Sequence, residues 1–163
     1  MKNYKIIEGD LLEAKKGVIC HQVNCLGAMN SGVALAIRKK YPKVYNLYYD
    51  LVTHMTEEKF ALLGYAQIIE IDSDLMVANL FSQYDFGYSG QRYTEYGSFR
   101  FALINLIENI ELYRNPNEMF DVHFPYKIGS DRGGAYWPTI EDIIKSVFSK
   151  YNDYNVIVHK LNS

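Results

Sequence analysis

Two glycine-rich stretches hold the residues of this 163-residue chain best suited to chemistry. The first reads Asn24-Cys-Leu-Gly-Ala-Met-Asn-Ser-Gly32. It follows an apolar, β-branched run over 17–23 and opens into the helix pattern Val33-Ala-Leu-Ala-Ile-Arg-Lys-Lys-Tyr41. The second, Gly129-Ser-Asp-Arg-Gly-Gly-Ala135, follows a strand-like run over 120–125 and opens into a helix pattern from Thr139. A strand that feeds a helix through glycines lets backbone N–H groups point at an anion, and the helix N-terminus adds positive partial charge. Two such loops in a chain this short suit a ligand with more than one phosphate, or a diphosphate clamped from both sides.

The side chains around these loops narrow the chemistry. His21 ends the apolar run three residues before Asn24. A lone histidine there reads as a structural residue. Its ordinary pKa near neutrality also suits it to position or deprotonate a water, or to protonate a leaving oxygen. Cys20, His21 and Cys25 supply at most three metal ligands, at a spacing unlike any zinc pattern, so neither metal nor cofactor is expected. Rossmann, P-loop and nucleophile-elbow signatures are all missing. With a net charge of −2 and a pI near 6.1, the chain lacks the electrostatic footprint of a duplex nucleic-acid binder. The cluster Arg38-Lys39-Lys40 with Lys43 reads as a solvated helix end that complements the helix dipole. No stretch approaches the roughly 18 apolar residues of a membrane span, and no signal peptide is evident, so a cytoplasmic protein with reduced thiols is expected.

The elements that must position these groups follow from hydrophobic period. Strands are predicted over 4–8, 17–23, 120–125 and 156–159, and a hairpin over 66–71 and 75–81 turning at Asp72-Ser-Asp74. Helices are predicted over 32–41, ended or kinked by Pro42, and over 44–54 with Val44, Leu47, Tyr48 and Leu51 on one face. The longest covers 94–113, apolar at Phe101, Ile104, Leu106, Ile107, Ile110 and Leu112. In the last helix Thr139 with Asp142 resembles a capping box. The loop over 82–92, with Tyr84, Phe86, Gly87, Tyr88, Ser89 and Gly90, reads as a wall of a cleft or as surface aromatics. Strands alternating with helices, without linker or repeat, argue one layered α/β domain over 1–163 with a mixed central sheet.

Gly9-Asp10-Leu11 after the first strand, His21-x-x-Asn24, and Gly27-x-Met29-x-x-Gly32-Val33-Ala34 together resemble the signature of macrodomains, the ADP-ribose-binding family. Ile128-Gly-Ser-Asp-Arg-Gly-Gly-Ala-Tyr-Trp137 resembles that family's second phosphate loop. The likeness covers essentially the whole chain in order. It is nearest to the small branch that holds ADP-ribose-1''-phosphate phosphatases and ADP-ribose ester deacylases, which has counterparts of Cys20-His-Gln-Val-Asn-Cys-Leu-Gly27 and of Tyr41-Pro42. The resemblance implies a three-layer α/β/α fold and a small-molecule partner, ADP-ribose or a derivative, with an ADP-ribosylated protein as a second kind of partner.

Each position takes a role from this resemblance. Asp10, followed by Leu11, would accept from the adenine amine, against a plain reading as a turn residue. Asn24 would bond a hydroxyl of the distal ribose, against a reading as an Asx turn. Gly27, Ala28, Met29, Ser31, Gly32 and Val33 would surround the diphosphate and distal ribose from one side, and Ser130, Asp131, Arg132, Gly133, Gly134 and Ala135 from the other. His21 and Asp131 form the pair expected for phosphomonoester hydrolysis, with Asp85 as a third member; Asp131 reads equally as a loop residue and Arg132 as a solvated one. Departures count too. The deacylases place a lysine after the strand matching 75–81 and an aspartate in the second loop; here Ser82-Gln83 and Gly133 stand there, which argues against a lysine adduct. The function expected is ADP-ribose binding with hydrolysis of ADP-ribose-1''-phosphate. A non-catalytic reader and a de-ADP-ribosylating or deacylating hydrolase are the other readings, which fold alone does not separate.

Overall fold

Short apolar runs punctuated by glycine and aspartate become six strands of one sheet. In the computed structural model, which describes residues 3–55, 58–87, 89, 91–130 and 133–161, these are β1 (Tyr4–Glu8), β2 (Gly17–Asn24), β3 (Ala66–Glu70), β4 (Leu75–Gln83), β5 (Phe120–Pro125) and β6 (Tyr154–Lys160). Their order is β1-β6-β5-β2-β4-β3, parallel throughout except for the predicted β3–β4 hairpin. Helices α1 (Gly32–Lys40), α2 (Pro42–His54), α3 (Tyr96–Tyr113) and α4 (Trp137–Phe148) cover the two faces.

Side-chain alternation along β2 assigns those faces. Val18 and Cys20 join a core with α3 and α4, while Ile19 and Val23 join a second core with Ile37 of α1 and Val44, Tyr48 and Val52 of α2. A strand buried on both faces needs a near-continuous apolar run, as the sequence of β2 supplies. This is the three-layer α/β/α arrangement with a mixed sheet.

Several details differ from the sequence-based expectations. Pro42 opens α2 instead of merely ending α1: Tyr41, preceding the proline, leaves helical geometry at φ −127° and ψ 76°. Leu47 is exposed, because the buried stripe of α2 runs Val44, Tyr48, Val52 at four-residue spacing. In α3 the buried stripe is Phe99, Ala102, Leu103, Leu106, Ile107 and Ile110, whereas Phe101, Ile104 and Leu112 are exposed. Docking against the sheet selects one phase of an apolar-rich helix, and Phe101 falls outside it. Helix α3 begins at Tyr96 and not at Thr94, whose backbone instead bridges Gln83 of β4. Thr139 lies inside the first turn of α4, which carries Pro138 there and no side-chain cap, so the capping box does not form.

The connections create one open seam. From β2 the chain leaves toward α1 and α2; from β5 it leaves toward α4 on the opposite face. Strands β2 and β5 pair only at Val18–Val122 and Ile19–His123 and then part. Such a switch point, at the carboxyl ends of parallel strands, is where open α/β sheets bind ligands.

Gly17 sets the approach of the two strands at the other end. Its φ is +91°, and a Cβ there would overlap the main chain of Asp121. Gly17→Ala is expected to lower stability by more than about 2 kcal/mol in urea unfolding; a loss under about 0.5 kcal/mol would contradict this account.

Candidate functional site

The parted ends of β2 and β5 enclose a cleft of about 400 Å³. His21, Gln22 and Asn24 form one wall. Ala28 and the segment Asn30 to Ala34, with the N-terminus of α1, form the second. Gln83 ends β4 and Phe86 and Gly87 follow it, while Pro125 ends β5 and Tyr126 to Gly129 with Gly133 follow it. The two glycine-rich stretches thus face one another across a shared space.

The first loop is built on Asn24 and Tyr48. Asn24 Oδ1 accepts from the N–H of Leu26 at 2.9 Å and of Ala28 at 3.3 Å, and its Nδ2 donates to Ala28 O at 2.9 Å. The buried Tyr48 hydroxyl donates to Asn24 O at 2.7 Å and accepts from Gly27 N–H at 3.1 Å. The Asx-turn reading of Asn24 therefore describes what its side chain does. The N–H groups of Gly27 and Ala28, expected to face a ligand, are committed within the protein. Those of Gly32, Val33 and Ala34 precede the first intrahelical bond of α1, Leu35 N–H to Ser31 O, and Ser31 makes no side-chain cap. The positive end of α1 is left open to the cleft.

Thr94, Gln22 and Gln83 hold the second loop, and none was singled out by sequence. Thr94 Oγ1 donates to Gly129 O at 2.8 Å and accepts from Gln22 Nε2 at 2.9 Å; Gln22 Nε2 also donates to Gln83 Oε1 at 2.6 Å. The Thr94 and Tyr93 N–H groups both donate to Gly133 O. Gly133 is buried against Thr94 Oγ1 and Gly129 O, which leaves no room for a Cβ. The N–H groups of Ser130 and Ala135 close the loop on Lys127 O and Gly129 O, so they are not available to a ligand as expected. Gly134 is exposed, and Asp131 and Arg132 lie outside the described residues. Lys127, at φ +60°, brings a cation to this wall.

Other predicted residues sit at varied distances from the cleft. Asp10 caps the 3-10 turn Leu11–Glu13 by accepting from Leu12 N–H at 2.9 Å, and Leu11 is buried beneath it. Met29 is fully buried in the α1–α2 core and Val33 is exposed at the rim. Asp85 is exposed and accepts from Phe86 N–H at 2.7 Å. Tyr88 and Gly90 of the 82–92 loop lie outside the described residues. Trp137 packs against the core, edge-on to Tyr126 at 5.3 Å.

His21 is 1% exposed, and its Nε2 lies 2.5 Å from Asn79 Oδ1. Burial drives its pKa down to about 4, so the ring is neutral at pH 7 and holds no proton for a leaving group. Burial also raises both thiols, Cys25 to about 12, which leaves neither as a nucleophile. Among the described residues no three His, Cys, Asp or Glu side chains gather in a metal-holding group, and no helix is long and apolar enough to cross a membrane.

Fold and cleft define a three-layer α/β module that offers a helix N-terminus and two glycine-rich walls to a ligand at its strand ends. No protein-family model matches the chain. It is 40% identical over 58 residues to an ADP-ribose 1''-phosphate phosphatase of Aspergillus oryzae (35% of this chain, 27% of that protein). Over 151 residues it is 22% identical to a DNA ADP-ribosyl glycohydrolase of Mycobacterium tuberculosis (93% of this chain, 40% of that protein). A Candida glabrata ADP-ribose 1''-phosphate phosphatase is 27% identical, with 89% of this chain and 93% of that protein covered. The chain thus spans less than half the length of the first two. Among solved structures, a Bacteroides thetaiotaomicron protein of unknown function superimposes with a TM-score of 0.81 at 26% identity, covering 96% of this chain and 97% of its own. The macrodomain of Mycobacterium tuberculosis DarG does so with 0.78 at 21% identity, covering 96% of each chain. The chain has the fold of a small macrodomain.

Two outcomes follow from the site's geometry. Thr94→Val removes the hydroxyl that joins Gly129 to Gln22 and should cost about 1–3 kcal/mol in urea unfolding. For pH, burial holds His21, His123 and His159 below the ordinary histidine value, His21 and His159 at about 4. The unfolded chain then binds more protons as pH falls below about 6.5, and stability declines from there toward pH 4, by on the order of 1 kcal/mol per pH unit for His21. Unfolding free energies at pH 7, 6 and 5 that coincide would contradict this.

Proposed function

We propose that this macrodomain binds ADP-ribose in the β2–β5 cleft and hydrolyses ADP-ribose 1''-phosphate, acting in the cytoplasm. The observation that carries the reading is the convergence of the α1 N-terminus with Gly129 and Gly133 on one cleft at the strand switch point. N–H groups at the start of a helix that have no partner among the described residues suit a diphosphate, and Lys127 adds a positive charge suited to a terminal phosphate. The names of the relatives, phosphatases of ADP-ribose 1''-phosphate and an ADP-ribosyl glycohydrolase, agree with a hydrolase of this ligand class.

In the proposed reaction a water oxygen attacks phosphorus, the bond from phosphorus to the ribosyl oxygen breaks, and one proton of the water ends on that oxygen while its hydroxyl stays on phosphorus, giving ADP-ribose and inorganic phosphate. Neutral His21 holds the water by accepting a hydrogen bond. With its folded pKa at about 4 it orients the nucleophile and does not serve as the acid at pH 7.

Calorimetry should give saturable ADP-ribose binding, weakened more than tenfold in Gly133→Val, whose side chain would displace Thr94 and the Gly129 carbonyl. Phosphate release from ADP-ribose 1''-phosphate should fall by about a hundredfold in His21→Ala while ADP-ribose affinity stays within a few-fold. Binding without turnover on this ester would leave a non-catalytic reader; no binding at all would remove the functional reading.

A further inference from the structure

One row of the sheet carries three polar side chains on a face that is otherwise apolar. His21 on β2 is the register partner of Asn79 on β4, and Asn79 that of Gln67 on β3. All three lie on the face covered by α2, in line with Ile19, Val23, Val77, Phe81 and Ile69 of that core. Asn79 is fully buried and Gln67 half-buried. Polar groups in such a place persist when their bonds form a consistent set.

The set here has a single direction. Gln67 Nε2 lies 3.0 Å from the Leu47 carbonyl of α2, which can only accept, so the Gln67 nitrogen faces α2. Gln67 Oε1 then accepts from Asn79 Nδ2 at 3.0 Å, which turns Asn79 Oδ1 toward His21. Opposite an acceptor at 2.5 Å, His21 Nε2 must carry the proton. A neutral imidazole with Nε2 protonated has a lone pair at Nδ1. That atom is buried and has no partner among the described residues, and His21 is among the residues that line the cleft.

We infer that Gln67 and Asn79 are positioning residues: they transmit the orientation of the Leu47 carbonyl across two strands and hold His21 as its Nε2–H tautomer, with Nδ1 offered as an acceptor to a water or hydroxyl in the cleft. Neither residue lines the cleft, so neither touches a ligand there. The inference rests on the cleft being the ligand site, and it adds which nitrogen acts and what decides it. If Asn79 were free to turn its amide round, it would present a donor to Nε2, the proton would move to Nδ1, and the acceptor would be lost. The same dependence on tautomer makes a correctly oriented third group worth large factors in histidine-assisted catalysis.

The first test needs no variant. Long-range proton–nitrogen NMR of the nitrogen-15-labelled wild-type protein at pH 7, without ligand, should show His21 neutral and Nε2-protonated; an Nδ1–H ring, or an even mixture of the two, overturns the inference. The second compares Gln67→Glu, which keeps an acceptor for Asn79 Nδ2, with Gln67→Met, which has none. The glutamate variant should retain the tautomer and the rate of phosphate release. The methionine variant should show mixed tautomers and a kcat about tenfold lower, with ADP-ribose affinity changed less than about twofold. An unchanged tautomer in Gln67→Met overturns the relay, as does a full wild-type kcat in a protein whose tautomer has become mixed. Failure of the wild-type protein to bind ADP-ribose would instead strike the functional reading and leave the tautomer result standing.

Discussion

Parallel strands usually keep pairing until their connections carry them away. Here β2 and β5 share two register positions before they separate, because the chain leaves them toward opposite faces of the sheet. Among the described residues no strand or helix spans the seam thus opened. The carboxyl end of β2 stays ordered because its other edge remains fully paired with β4, through His21–Asn79, Gln22–Leu80 and Val23–Phe81. One edge bonded and the other open is the condition for a cleft whose floor is rigid backbone. Everything that lines the cleft is arranged around that asymmetry.

Two polar devices then hold the walls. On the α1 side, Asn24 and the hydroxyl of Tyr48 gather the carbonyl and N–H groups of the first loop, so that the loop's shape depends on a residue of α2. On the β5 side, Thr94 and Gln22 gather Gly129 and Gly133, so that the second loop depends on the segment leading into α3. Both devices use up backbone donors that a reading of the loops alone would give to a ligand. What remains for an anion is concentrated at the start of α1. Preformed walls reduce the ordering cost of binding.

The buried histidines are kept neutral by the same burial that places them. His123 donates from Nε2 to the Lys16 carbonyl and accepts at Nδ1 from His159, so that pair is closed on itself. His21 differs in having Nε2 engaged by Asn79 while Nδ1, also buried, has no partner among the described residues. A polar group desolvated and left without a partner costs free energy unless something transient supplies the bond. This contrast, and not pKa alone, separates the histidine of the cleft from the two that are purely structural.

Much of the architecture was legible in the residues. The strand runs, the Asp72-Ser-Asp74 hairpin, the mixed sheet and the pairing of two glycine loops follow from period 2 and 3.6 patterns and from turn chemistry, which are local properties. Burial phase was less legible: Phe101 and Leu47 are as apolar as their neighbours, and only docking against the sheet decides which side of a helix is covered. Helices α2 and α4 start at Pro42 and Trp137, two residues before the predicted starts, because a proline fits the first turn of a helix. Gln67, Asn79 and Thr94 lie in unremarkable stretches and gave no signal in sequence, while Gln22 and Gln83 lie in stretches that the resemblance covers but drew no role from it. Their roles arise from partners 12 to 72 residues away in the chain. The sequence by itself determined that two glycine-rich turns would follow strands. Only the tertiary structure decided that they face each other, which of their N–H groups stay available, and which nitrogen of His21 is engaged by Asn79. Hydrogen bonds across distant strands set those three outcomes, and chain order does not encode them locally.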